Sequence, residues 1–98
     1  MSKAMFRVVW DAEHVCYGFD CNSFGEAVNS VYNIYAGWIL DGNVIRNSVK
    51  NFNPEDWNYM IDSCSAEVEK LNPETNEYES FWSPSYESLE RIGWKYME

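Results

Sequence analysis

The sequence predicts one α+β domain: a small, mostly antiparallel β-sheet with two main helices packed on one face and a third, short helix near the C-terminus as an option. Three observations lead there. Met5–Trp10 alternates as a strand and is followed by a second alternating stretch. Two segments combine N-cap chemistry with apolar residues at helical spacing. The chain has 98 residues, enough for one hydrophobic core and no second one. Residues 1–98 are therefore read as a single acidic domain.

In the first strand, Phe6, Val8 and Trp10 share one face and Met5, Arg7 and Val9 the other. Asp11 to His14 has turn character, and Val15, Tyr17 and Phe19 alternate together after it, which predicts an N-terminal β-hairpin. Ser23 with Glu26 forms the S-x-x-E pattern of a capping box. Phe24, Val28, Val31, Tyr32 and Tyr35 then recur at helical spacing, with Gly37 placed to end the helix, or the helix continuing to Leu40. Asp41-Gly42 between Trp38-Ile39-Leu40 and Asn43-Val44-Ile45 predicts a second hairpin whose outgoing strand runs towards Val49.

Asn53 before Pro54 is a well-formed helix start, since the Asn side chain accepts from free amides and Pro at the first helical position sacrifices no hydrogen bond. Glu55 and Asp56 complement the positive end of the helix dipole. Trp57, Ile61, Cys64, Val68 and Leu71 step onward at helical spacing, so the second helix is read from Pro54 to about Leu71. Asn72 to Asn76 is a turn, Glu77 to Trp82 a strand, and Ser83-Pro84 opens a short helix through Arg91 with Leu89 and Ile92 inward. Gly93 releases it into a last strand from Trp94 to Met97. The predicted order is β-β-α-β-β-α-β-(α)-β.

The formal net charge is −9, and it is uneven. Residues 1–50 hold five acids and four bases, residues 51–98 eleven acids and three bases. Such a surface repels phosphate backbones and anionic headgroups and attracts basic proteins. Neither direct nucleic-acid binding nor membrane association is expected. The basic residues never cluster, and no apolar run approaches the roughly 18 residues that would span a bilayer. Cys16, Cys21 and Cys64 cannot all pair within one chain, and no signal-peptide pattern stands before them, which predicts a reducing, cytoplasmic setting.

No phosphate-cradling glycine loop, HExxH pair or GxSxG elbow is present, and no cofactor is expected. His14, the one histidine, stands near Asp11, Glu13 and Cys16 and offers the seed of a small metal-binding or hydrolytic site, against the plainer reading of a turn histidine. The paired carboxylates, such as Glu67 with Glu69, read as solvated charges, because general acid–base work needs a cleft that separates their pKa values. Cys64 reads as a core thiol.

The function expected is therefore non-enzymatic protein binding. Aromatics set among acids, with Tyr59, Tyr78, Trp82 and Tyr86 beside Asp62, Glu67, Glu69, Glu77 and Glu79, have the composition of an interface of rigid anchors within a polar rim. In the sharper version the carboxylates imitate a phosphate track and occupy the basic groove of a nucleic-acid-handling protein. In overall composition the chain is similar to small acidic inhibitors of phages and mobile elements, including those that block restriction or RNA-guided nucleases. A structural homo-oligomer built on the surplus aromatics is the remaining reading.

Overall fold

The computed structural model describes residues 3–12, 15–48 and 53–96, and for 44–48 the backbone alone. Two strands, β1 (Phe6–Ala12) and β2 (Val15–Cys21), lead into helix α1 (Phe24–Ser48) and helix α2 (Pro54–Ser63). Strands β3 (Ser65–Asn72) and β4 (Glu77–Trp82) and the short helix α3 (Tyr86–Ile92) complete the chain. The strands form one antiparallel sheet in the order β2-β1-β3-β4. The predicted α+β class, antiparallel sheet, two main helices and short C-terminal helix are all present.

The core follows from the pleat. In β1, Phe6, Val8 and Trp10 face the helices, with Val8 fully buried. Val68 lies directly across from Val8, and Ala66 from Trp10. Val31 of α1 completes the trio of largest fully buried side chains with Val8 and Val68. Burying each such side chain contributes about 1.5–3 kcal/mol, so this seam between helix and central strands holds the two layers together.

The helix starts use the chemistry their sequences advertise. Ser23 Oγ accepts from Glu26 N at 3.2 Å, and Glu26 reaches back to Asn22 N at 3.4 Å. Asn53 accepts from Glu55 N at 3.0 Å, with Pro54 in the first turn. In the β3–β4 turn, Asn72 Oδ1 accepts from Glu74 N at 2.9 Å, and Asn76 takes the left-handed conformation at φ 61°. Ser85 caps α3 by accepting from Ser88 N at 3.1 Å, and Gly93 ends it at φ 109°.

Three expectations are corrected. The helix begun at Pro54 stops at Ser63, and residues 65–72 are strand. Cys64 is already extended (φ −108°, ψ 133°), and from there the sequence works at period two: Ala66 and Val68 are buried while Glu67 and Glu69 point to the opposite face. β1 gains its second neighbour by this exchange. The second hairpin does not form either, because α1 runs through Trp38, Asp41 and Gly42 to Ser48. Val49 lies outside the described residues. Finally, Trp94 to Tyr96 is not strand, Met97 lies outside the described residues, and Ile92 is exposed whereas Leu89 is buried as expected.

A helix of 25 residues is about 37 Å long, well beyond a seven-residue strand of about 23 Å. α1 therefore overhangs the sheet, and the molecule measures 52 × 25 × 17 Å. α2 and the C-terminal tail fill the space beside the overhang. Trp94 packs edge-on to Tyr35 and Trp57, with ring centroids 5.1 and 5.5 Å away, and Trp57 Nε1 donates to Lys95 O at 2.9 Å. Gly42 is what allows Trp57 in: a Cβ there would stand 2.2 Å from the indole ring. Its role is close approach rather than a turn.

Gly37 and Gly42 thus make opposite predictions within one helix. Gly37→Ala meets nothing within 4 Å and should stabilise the protein by about 0.5–1 kcal/mol. Gly42→Ala should destabilise it by about 1–3 kcal/mol through overpacking against the pinned indole. Urea unfolding of both variants checks the pair; a loss of stability from Gly37→Ala would contradict a continuous α1.

Candidate protein-binding face

All three helices lie on one side of the sheet, so the other side is uncovered. The pairing register turns Arg7, Val9 and Asp11 of β1 to this open face, with Cys16, Gly18 and Asp20 of β2 and Ser65, Glu67, Glu69 and Leu71 of β3. Tyr78 and Ser80 extend it on β4, opposite Leu71 and Glu69. Among the described strand residues it carries four carboxylates, Asp11, Asp20, Glu67 and Glu69, against the single guanidinium of Arg7.

The charges on this face are not equivalent. One row reads Asp20, Arg7, Glu69 across three strands, with Arg7 Nε 3.2 Å from Asp20 Oδ1. The guanidinium also lies 4.0 Å above the Tyr78 ring, a cation–π contact. The next row reads Gly18, Val9, Glu67 and contains no base. Glu67 accepts from Ser80 Oγ at 3.1 and 3.2 Å, a neutral donor that leaves its charge uncompensated.

Two shallow clefts meet at Val9. One, about 480 Å³, lies over Gly18 between Cys16 and Asp20, where the missing side chain leaves a depression. The other, about 370 Å³, runs past Asp11, Ser65 and Glu67 to Ser83 and Pro84. Its wall includes Tyr35, whose hydroxyl accepts from Ala66 N at 3.1 Å. β4 has ended before it reaches Ala66, so the tyrosine replaces a missing strand partner. Burial is the first cause that pushes the Tyr35 hydroxyl pKa up, so it stays protonated.

The residues singled out from the sequence separate onto several surfaces. Glu67, Glu69 and Tyr78 belong to the open face, Tyr78 also donating to Ala4 O at 2.7 Å. Tyr59 and Asp62 are exposed on α2, where Asp62 accepts from the Tyr96 hydroxyl. Glu77 and Glu79 project on the helix side of the far edge strand, Glu79 accepting from Asn72 Nδ2 at 3.3 Å. Tyr86 is exposed on α3. Trp82 is half-buried, edge-on to Tyr32 and Phe24 at 5.9 and 6.1 Å, and so belongs to the core. Val9, Asp11, Gly18 and Asp20 were not singled out as site residues; a glycine in mid-strand, paired with the one apolar residue on the outer face of β1, was the available signal.

His14 and Glu13 lie outside the described residues. Among the described residues no group of three metal-ligating side chains comes together, and no helix is long and apolar enough to cross a membrane. None of Cys16, Cys21 and Cys64 is in a disulfide. Comparison of the chain with protein-family models, curated proteins and solved structures finds no match.

Cys16 reports on the cleft chemically. Its thiol is exposed but hydrogen-bonded to Asp11, which first raises its pKa, with Coulombic repulsion from Asp11 and Glu69 acting the same way. A raised pKa means less thiolate at a given pH and slower alkylation. Asp11→Asn should therefore speed iodoacetamide labelling of Cys16 severalfold at mildly alkaline pH, with Cys21 and Cys64 protected by burial in the folded state. Peptide mapping of the labelled protein checks it; an unchanged Cys16 rate would remove Asp11 as the cause. Tyr35→Phe should cost about 1–3 kcal/mol by orphaning the buried Ala66 amide, measurable as a lower urea midpoint at unchanged slope.

Proposed function

We propose that this chain is a non-enzymatic protein-binding domain that presents its open sheet face to a basic surface of another protein. The observation that carries the reading is the meeting of the two clefts at Val9, with the uncompensated carboxylates of Asp11 and Glu67 beside it. A single valine within a polar, charged surround suits a partner that sets a side chain over Val9 and Lys or Arg around it. The negative field of the whole chain, −9, would speed the encounter. Inhibition of a nucleic-acid-handling enzyme through its basic groove is the more specific form of the proposal, and a reducing cytoplasm, in keeping with three cysteines outside any disulfide, is the setting proposed for it.

The carboxylates considered as a phosphate track are distributed. Glu55, Asp56 and Asp62 sit on α2, Glu67 and Glu69 on the open face, and Glu74, Glu77 and Glu79 around the β3–β4 turn. Any groove-filling role therefore falls first to the open face, where acids and clefts coincide.

The test is capture from lysate of the native host by wild-type protein and by two double variants of equal charge change. Asp11→Lys with Glu67→Lys should weaken partner retention about tenfold or more, and Glu77→Lys with Glu79→Lys should leave it nearly unchanged. Retention should also fall with added salt. Loss on the second pair alone would move the interface to the β3–β4 end, and loss on neither would remove electrostatic docking as the function.

A further inference from the structure

The acids on the open face border a cleft whose deeper end is neutral. Asp11 accepts from the Cys16 thiol and Glu67 from Ser80 Oγ, so neither carboxylate has its charge cancelled by these contacts. The cleft between them, about 370 Å³, passes the edge of β3 where β4 has ended and reaches Tyr35. Val9 and Pro84 give it apolar walls, Ser65 and Ser83 hydroxyl ones.

Tyr35 is only 4% exposed, and its hydroxyl is half engaged. The oxygen accepts from Ala66 N at 3.1 Å, while among the described residues nothing accepts the O–H in return. Burial raises the pKa of this group, so it carries its proton. The backbone beside it is also left unserved by β4. The last pairing of the two strands sets Val68 opposite Trp82, and a continuation by two residues would set Pro84 opposite Ala66. Proline has no N–H to donate to the Ala66 carbonyl. One end of the cleft therefore offers a buried donor beside a carbonyl that β4 does not serve, and the other offers two anionic acceptors.

A single peptide unit next to a basic side chain answers all of these groups at once. Its C=O accepts from Tyr35, its N–H faces the Ala66 carbonyl, and its ammonium or guanidinium lies towards Asp11 and Glu67. The aliphatic stem of such a side chain crosses Val9. A small cation alone leaves the tyrosine donor unanswered. An anion that could answer it is repelled by the two carboxylates, as is a second copy of a chain of net charge −9. A hydroxyl this deeply buried is reached by a slender extended main chain rather than by the broad surface of a folded domain.

We propose, resting on the reading of this face as protein-binding, that the partner enters the cleft as an extended segment carrying Lys or Arg, with its main chain seated at Tyr35 and Ala66 and its cation at Asp11 and Glu67. The occupant is thus a basic peptide segment, recognised by one main-chain hydrogen bond from a side chain as well as by charge.

Three probes separate the two halves of the site. N-acetyl-arginine methylamide carries the peptide unit and the cation, n-butylguanidinium the cation alone, and N-acetyl-norleucine methylamide the peptide unit alone. In titrations followed by backbone amide NMR shifts, the blocked arginine should bind roughly three- to tenfold tighter than butylguanidinium, the factor one net hydrogen bond supplies. The norleucine probe should bind more weakly than either, and the shifts should centre on Val9, Ala66 and Ser83. Asp11→Asn with Glu67→Gln should remove the advantage of arginine over norleucine. Tyr35→Phe should lower the blocked arginine to the affinity of butylguanidinium. Equal affinity of those two probes for the wild-type protein would overturn the proposal, as would shifts centred elsewhere or no binding of any probe. Should Tyr35→Phe not fold, the ranking of the three probes on wild-type protein decides the question. The lysate capture tests the underlying reading separately: charge-dependent capture together with equal probe affinities would refute the seat at Tyr35 alone.

Discussion

The pairing of β1 with β3 is the contact on which the rest of the molecule depends. It places Val8 against Val68 beneath the helices and, in the same stroke, Val9 against Glu67 on the open side. Because successive side chains in a strand point to opposite faces, a slip of one residue would put Glu67 into the core and Val68 into water. Burying a carboxylate without a partner costs far more than losing one valine contact. The register is therefore fixed twice, by what it buries and by what it must keep out.

This seam also explains why β3 is hard to read from sequence. Ser65–Asn72 consists largely of residues that favour helices, and Val68 and Leu71 continue the spacing begun at Trp57. Its alternation of Ala66 and Val68 with Glu67 and Glu69 is equally present, and only the unpaired edge of β1 decides between the two. α1 shows the reverse confusion. Asp41-Gly42 has the composition of a tight hairpin turn, yet the glycine serves a contact with Trp57 fifteen positions along the chain. A residue whose reason lies in a distant ring leaves no local signature. The elements legible without tertiary help were those with their own chemistry: the hairpin of β1 and β2, the caps at Ser23 and Asn53, and the Asn72–Asn76 turn.

The open face was legible in part for the same reason. Placing Arg7 and Val9 on one side of β1 needs only period two, and Glu67 with Glu69 drew notice as acids. Assigning those acids to a helix set them beside Tyr59 and Asp62, which the structure leaves on α2. Seventeen per cent aromatic residues suggested anchors to spare. Much of that surplus goes instead into holding an overhanging helix to a small sheet, with Trp38, Trp57 and Trp94 around Tyr35 at one end and Phe6, Phe24, Phe81 and Trp82 at the other.

The two edges of the sheet and its open face divide the work of an acidic surface. The carboxylate of Asp20 is spent on the sheet itself through its ion pair with Arg7, since opposite charges across strands stabilise their pairing. Glu67 and Asp11 have no ion pair among the described residues, and their field is available to another molecule. β2, by contrast, is nearly neutral where it is open. Uncompensated charge and exposed backbone thus occupy different places on this surface, the first around Val9 at Asp11 and Glu67, the second along the outer side of β2, because the same pairing register that turns Glu67 away from the core leaves β2 at the rim of the sheet.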